Sequence, residues 1–214
     1  MRTRLPLIVA TLGLLVATGC TTTSEGTPLP GSTTPTETSS GSDQSSGEPP
    51  SDDLPSDGAP KVEKPLDASH FEQTPCDALT PEDAQTLNVP AAGEPTEVAF
   101  GKGCRWRNKE TQGVVGIQFF STDKRGLSSV YQEAKGSDFP YFEPLDDIEG
   151  FPAVAYDPET EKPTGDCTVA VGVTDQLVFT VQLDLSSANI GHKDPCVVAA
   201  QAAGMMAKTM REAA

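Results

Sequence analysis

The most regular pattern in the chain is an alternation of apolar and polar positions in its C-terminal half. The apolar positions are Cys167, Val169, Val171 and Val173 in one segment and Leu177, Phe179, Val181 and Leu183 in the next. Alternate side chains of a strand point to the same face, so each segment predicts a buried strand. Only residues 174–176 separate the two, which favours a hairpin.

Three further segments have strand-like patterns: GCRWRN, GVVGIQFF and FPAVAY. The first places Cys104 and Trp106 on one face, and the second is mostly apolar and so predicts a buried strand.

Three helices are also predicted. The first, ALTPEDAQTL, has Thr80 at the N-cap and Pro81 at the first helical position. The second, LSSVYQEAKG, ends at Gly136. The third begins after Asp194 with an apolar stripe of Val198, Ala202, Met205, Met206 and Met210. We interpret the methionines as core residues and not as a copper site. The order of elements predicts an α+β fold, an antiparallel sheet of about five strands packed with N-terminal, middle and C-terminal helices.

The N-terminus has a different pattern, in which a short apolar run ends at a cysteine. Residues 5–16 follow two arginines and are too few to span a bilayer, which needs roughly 20 residues. They are typical of a secretory signal. The sequence Ala17-Thr18-Gly19-Cys20 resembles the bacterial lipobox, which implies a lipoprotein signal peptide over residues 1–19 and a lipid on Cys20. An ordinary cleaved signal is the alternative.

Residues 20–73 are interpreted as a disordered tether, and residues 74–214 as a globular domain. Between residues 21 and 60, 29 of 40 residues are Ser, Thr, Pro or Gly, and seven are acidic. Such a segment buries too little apolar surface to offset its conformational entropy. The expected location is the extracytoplasmic face of the cell membrane, held by the lipid anchor.

One of the five cysteines has a different predicted role from the other four. If Cys20 carries lipid, then Cys76, Cys104, Cys167 and Cys196 are free to form two disulfides in the oxidising space that export provides. Four cysteines allow three connectivities. We favour Cys76–Cys104 with Cys167–Cys196, since each would fasten a helix end to the sheet. A zinc site would need closely spaced cysteines such as C-x-x-C, and this sequence has no such spacing.

Charge and motifs exclude some functions. The formal net charge is −16, so the basic surface that nucleic acid requires is not expected. We find no catalytic, metal or cofactor motif. His70 and His192 lack ligand spacing, and Ser121-Thr122-Asp123-Lys124 matches S-x-x-K without its companion motifs.

Two loop regions are the remaining candidates for chemistry. Acidic loop residues at 143, 146–149, 157, 159 and 161 leave a small cell-envelope hydrolase as an alternative function. The loop FPYFEPLDDIEGFP holds four aromatic side chains that could line a ligand groove or cover the core edge: Phe139, Tyr141, Phe142 and Phe151.

The segments PCDALTPEDA, GCRW, GFPAV, CTVAVGV and DPCVVAA, in that order behind a lipobox, resemble an actinobacterial lipoprotein family, domain of unknown function 3558. The resemblance covers residues 74–210 and implies an exported, lipid-anchored envelope protein without an assigned activity. The expected function is a non-enzymatic binding or interaction module. Its partner would be a cell-wall component, a small lipophilic ligand or another exported protein.

Overall fold

The computed structural model describes residues 53–136 and 139–214. Its helices are α1 (Ser69–Gln73), α2 (Pro81–Thr86), α3 (Leu127–Lys135) and α4 (Pro195–Ala213), and a 3-10 turn covers Pro75–Ala78. Its strands are β1 (Glu94–Val98), β2 (Gly101–Arg107), β3 (Val114–Phe119), β4 (Tyr141–Ile148), β5 (Phe151–Asp157), β6 (Asp166–Thr174) and β7 (Leu177–Asp184). All seven strands form one antiparallel sheet in the order β1-β2-β3-β7-β6-β5-β4. The α+β class is confirmed.

The predicted count of about five strands is corrected to seven. The two additional strands, β1 and β4, are the two edges of the sheet. Most of their residues are exposed or half-buried, so their sequences lack the apolar alternation of the inner strands. Each edge also contains a proline, Pro95 in β1 and Pro144 in β4. Proline is tolerated there because an edge strand has amides that need no partner in the sheet.

One face of the sheet carries the main core. The predicted inward positions of β6 and β7 are all buried on this face, together with Trp106 of β2 and Phe119 of β3. Helix α4 packs across β6 and β7, and Met206 and Met210 are fully buried, which confirms that the methionine stripe belongs to the core.

Two helices begin as their sequences predict. The Thr80 hydroxyl accepts a hydrogen bond from the backbone N–H of Asp83 and donates one to its carboxylate, at 3.1 and 2.7 Å. The Asp194 carboxylate accepts from the N–H groups of Cys196 and Val197, at 2.8 and 3.2 Å. These caps satisfy N–H groups that have no partner inside the helix.

The two disulfides join the cysteines in the favoured connectivity, Cys76–Cys104 and Cys167–Cys196. The first ties the 3-10 turn to β2, and the second ties the start of α4 to β6. The backbone at Gly93 lies against the first disulfide, since a Cβ there would approach the Cys104 sulfur to 2.4 Å and the Trp106 indole to 2.7 Å. Only glycine fits at that position.

The globular part begins earlier than residue 74. Val62, Leu66 and Phe71, which the sequence interpretation placed in the tether, are buried in the main core. The Leu66 N–H donates to the Val173 carbonyl at 2.9 Å, and so extends the contacts of β6. These apolar side chains are widely spaced among charged residues, so they have no periodic pattern. The predicted signal peptide and tether residues 20–52 lie outside the described residues.

Candidate functional site

The second face of the sheet is covered only in part. Helix α3 contributes Leu127 and Val130 to a smaller core over Val154, Ala170 and Val178 of the inner strands. The strands β1, β2 and β3 extend beyond this cover. We call the polar part of this side the open face, defined by Glu94, Thr96, Arg105, Gly116, Gln118, Thr168, Thr180 and Gln182.

The strand register aligns the open face into a row that crosses the sheet. Directly paired positions in this row are Glu94, Arg105, Gly116, Gln182, Thr168 and Tyr156. Because Gly116 has no side chain, the floor of the row is bare backbone at its centre. A cavity of about 560 Å³ lies here, with threonine and glutamine side chains and the Tyr156 ring along its walls.

A second glycine shapes the neighbouring row. At Gly103, a Cβ would lie 2.7 Å from both the side-chain amide oxygen of Gln118 and the Thr96 hydroxyl, so these two side chains close over the glycine. The Gln118 amide donates to the backbone carbonyls of Lys102 and Phe119, at 3.0 and 2.9 Å. Hydrogen bonding thus holds this wall of the cavity in place.

A larger cleft opens beside the row that runs from Glu94 to Tyr156. Its volume is about 840 Å³, and the segment between α2 and β1 forms part of its lining. The charged side chains of the lining are Arg105, Arg107, Lys109, Glu94 and Glu110. We call it the arginine cleft. Both guanidinium groups are on exposed residues of β2, opposite the buried Cys104 and Trp106. Arg105 lines both this cleft and the cavity of the open face, so this residue borders the two.

The far end of the open face is less polar. Burial raises the pKa of Tyr156, and the Glu133 carboxylate raises it further, so the phenol stays neutral and keeps an O–H that can donate a hydrogen bond. Its ring packs against Phe139 with centroids 4.4 Å apart. Burial also raises the pKa of Asp166, with the nearby charges of Asp157 and Asp184 adding to the shift.

The four candidate groove aromatics do not converge. The loop that was expected to hold them is mostly the β4–β5 hairpin. Phe139 and Phe142 pack with the smaller core, whereas Tyr141 and Phe151 pack with the main core on the opposite face. Burial and the hydrogen bond to Glu143 raise the pKa of Tyr141 to about 12. The sheet itself therefore separates the predicted groove into two unrelated sets.

The acidic residues considered for hydrolysis are also dispersed. Glu149 forms an ion pair with Arg211 at 2.7 Å, and Glu143 accepts a hydrogen bond from Tyr141. The buried Asp157 carboxylate accepts from two turn amides, at 2.7 and 3.0 Å. Over residues 53–136 and 139–214, no three acidic, histidine or cysteine side chains are grouped so that they could hold a metal ion.

The two histidines are on the surface. His70 lies 3.1 Å from the Asp77 carboxylate, and His192 is exposed in the turn before α4. Cys20, the predicted lipidation residue, lies outside the described residues. In the part of the chain that the structure describes, no helix has the length and apolar character needed to cross a membrane.

The arginine cleft was not among the sites predicted from the sequence. A signal was available in GCRWRN, where two arginines alternate with Cys104 and Trp106. If the apolar pair faces the core, both arginines must project from the other side of the same strand. The remaining open-face residues lie on four other strands, which only the pairing order brings together.

These features define a small α+β domain braced by two disulfides, with a polar open face on one side of its sheet. The chain belongs to the family described as "Protein of unknown function (DUF3558)", whose model matches residues 15–209. No curated protein and no solved structure matches it.

Proposed function

We propose that this chain is an exported lipoprotein, anchored to the extracytoplasmic face of the cell membrane through lipid on Cys20. We further propose that its folded domain is a non-enzymatic binding module of an actinobacterial envelope, and that the open face holds a polar envelope ligand. The small residues directly before Cys20, Ala17-Thr18-Gly19, motivate the anchor. The cavity over Gly116 motivates the binding site.

Two disulfides support the export step. Disulfides persist in oxidising compartments and are rare where thiols are kept reduced. Both bridges are internal to the folded part, so they leave Cys20 as the cysteine without a partner in this scheme. That thiol would be the one available for lipid attachment.

The observation that carries the binding proposal is the bare backbone at Gly116. Small-molecule sites are concave and have a few polar groups that fix the ligand's orientation. Here a cavity of about 560 Å³ lies over Gly116, with Gln182 and Thr168 beside it. Threonine hydroxyls and glutamine amides both donate and accept hydrogen bonds, so they suit ligands rich in hydroxyl or amide groups.

The anchor is tested by metabolic labelling with a palmitate analogue in the native cell. We expect the wild-type chain to be labelled and Cys20→Ala to be unlabelled and released from the membrane. Label that persists in Cys20→Ala, or that never appears on the wild type, would contradict the anchor.

The binding site is tested with protein purified from native membranes in detergent, followed by mass spectrometry of the molecules that remain bound. Gly116→Val places an apolar side chain on the bare floor of the cavity, where the added Cβ meets its nearest atom at 3.7 Å, an ordinary van der Waals contact. Thr164→Val, on an exposed loop, is the control. We expect a bound polar molecule in the wild type and the control, and its loss in Gly116→Val. Equal recovery from all three, or no bound molecule, would overturn the binding module.

A further inference from the structure

The arginine cleft has more cationic than acidic side chains, although the chain as a whole is strongly acidic. The chain has 31 acidic and 15 basic side chains, yet Arg105, Arg107 and Lys109 line one cleft of about 840 Å³ in which the acidic residues are Glu94 and Glu110. Alternate positions on a strand are separated by about 6.6 Å, so the two arginines project from β2 as neighbours. Such a pair repels itself unless an anion or solvent lies between the charges.

Neither arginine is satisfied by the protein. Among the described residues, Arg105 and Arg107 have no ion pair and no side-chain hydrogen bond. By contrast, Arg125 pairs with Asp123 and Arg211 pairs with Glu149, both at 2.7 Å.

Glu94 lies directly opposite Arg105 in the strand register. Even so, no ion pair within 4.0 Å forms between them in the described part of the chain. The guanidinium groups therefore remain available to a ligand.

We propose that Arg105 and Arg107 bind the oxyanion, a phosphate or a carboxylate, of a polyhydroxylated ligand whose neutral part lies along the open face. This inference rests on the proposed binding function and names the chemistry of its ligand. A guanidinium presents its N–H donors in a planar fork that matches two oxygens of a phosphate or carboxylate. Two such forks on one strand fix both the position and the direction of the anionic end.

The direction in which the ligand extends from the arginines follows from the row of paired residues across the sheet. Arg105 borders both cavities, and from it the paired positions continue over Gly116 and Gln182 to Thr168 and Tyr156. Four gaps between strands span roughly 19 Å, at about 4.8 Å each. That length accommodates a chain of several sugar-sized units beyond the oxyanion.

The side chains along the row suit the neutral, polyhydroxylated part of such a ligand. Gln182 and Thr168 offer hydrogen bonds to hydroxyl groups, which also both donate and accept. The Tyr156 ring and Pro158 supply apolar surface at the far end, against which the C–H face of a sugar ring packs. A polyhydroxylated molecule with one anionic end thus matches both parts of the site.

The test is isothermal titration of the membrane-purified protein with three probes: glucose 1-phosphate, glucuronate and glucose. We expect at least one oxyanion probe to bind more tightly than glucose, with an affinity that falls as salt is raised. Preference for glucose 1-phosphate identifies a phosphate source, and preference for glucuronate identifies a carboxylate source. Binding of both equally supports the shared oxyanion chemistry.

Two double variants separate a site from a general charge effect. Arg105→Gln/Arg107→Gln is expected to weaken binding of the oxyanion probe at least tenfold, since the variant removes both guanidinium groups and their charge-assisted hydrogen bonds. Lys61→Gln/Lys162→Gln changes the net charge equally at exposed positions and is expected to leave the affinity within about twofold. Both arginines are exposed, so their replacement leaves the core intact.

The outcomes distinguish the oxyanion site from the broader proposal that the open face binds a polar ligand. If no oxyanion probe exceeds glucose, or if the lysine variant loses as much affinity as the arginine variant, the oxyanion site is overturned. If glucose alone binds, and only Gly116→Val abolishes it, the open face stands without the oxyanion site. If the arginine variant loses oxyanion binding while Gly116→Val does not, the oxyanion site stands and the open face fails.

Discussion

Removal of the Cys167–Cys196 disulfide is expected to cost the domain a large share of its stability. The bridge closes a loop with a sequence separation of 29 residues. In the chain-entropy description, a loop of this length contributes about 3.6 kcal/mol at 25 °C by restricting the unfolded state. For a domain of this size, each 1 kcal/mol moves the melting temperature by about 2–4 °C. The variant Cys167→Ala/Cys196→Ala should therefore melt roughly 7–14 °C below the wild type.

The assay is thermal and urea unfolding of the oxidised protein, followed by circular dichroism. Cys76→Ala/Cys104→Ala is the matched comparison, because its loop has a separation of 28 residues and the same entropic cost is expected. Any difference between the two variants then reports local packing, such as the contact of Gly93 with the Cys104 sulfur. A loss below about 1 kcal/mol in both variants would refute the reasoning, since it would mean that the unfolded chain is already restricted without the bridges.

Three further changes test the packing and electrostatics. Asp166→Asn should stabilise the fold by up to about 1 kcal/mol at pH 7, because partial desolvation and the charges of Asp157 and Asp184 raise the pKa of Asp166. A raised folded-state pKa means that wild-type stability falls as pH rises through that value, so the advantage should vanish below about pH 4; an advantage independent of pH would contradict this cause. Met206→Ala should cost about 2–5 kcal/mol in urea unfolding, since the side chain is fully buried, and a loss under 1 kcal/mol would remove it from the core. Gly103→Ala should lower the melting temperature, because its Cβ would lie 2.4 Å from the Ile117 carbonyl oxygen, and an unchanged melting temperature would show that the strands shift freely.

The inner elements were predictable because their signals are local. The alternation in β6 and β7 reports burial on one face, and Thr80 and Asp194 mark helix starts by chemistry within three residues. The disulfide pairing also followed from local context, since each favoured bridge joins a helix or turn end to a strand. The edge strand β4 gave no such signal, because an edge exposes residues that an inner strand would bury.

The candidate site was less accessible to sequence reasoning. The four aromatics were grouped because they are neighbours in sequence, yet adjacent strand positions such as Tyr141 and Phe142 point to opposite faces. Residues of the open face are far apart in sequence and adjacent only through the register. Arg105 and Gln182, for example, lie on either side of Gly116 in the sheet.

By itself, the sequence determined which segments form the inner strands and the capped helices, and it favoured one of the three possible cysteine pairings. Periodicity and caps act over a few residues and need no knowledge of the partner strand. Only the tertiary structure decided the strand order, the inclusion of Val62 and Phe71 in the core, and the position of Arg105 between the arginine cleft and the cavity of the open face. Those features depend on pairing between distant parts of the chain. Hydrogen-bond register and burial of one sheet face decide among arrangements that local sequence patterns do not distinguish.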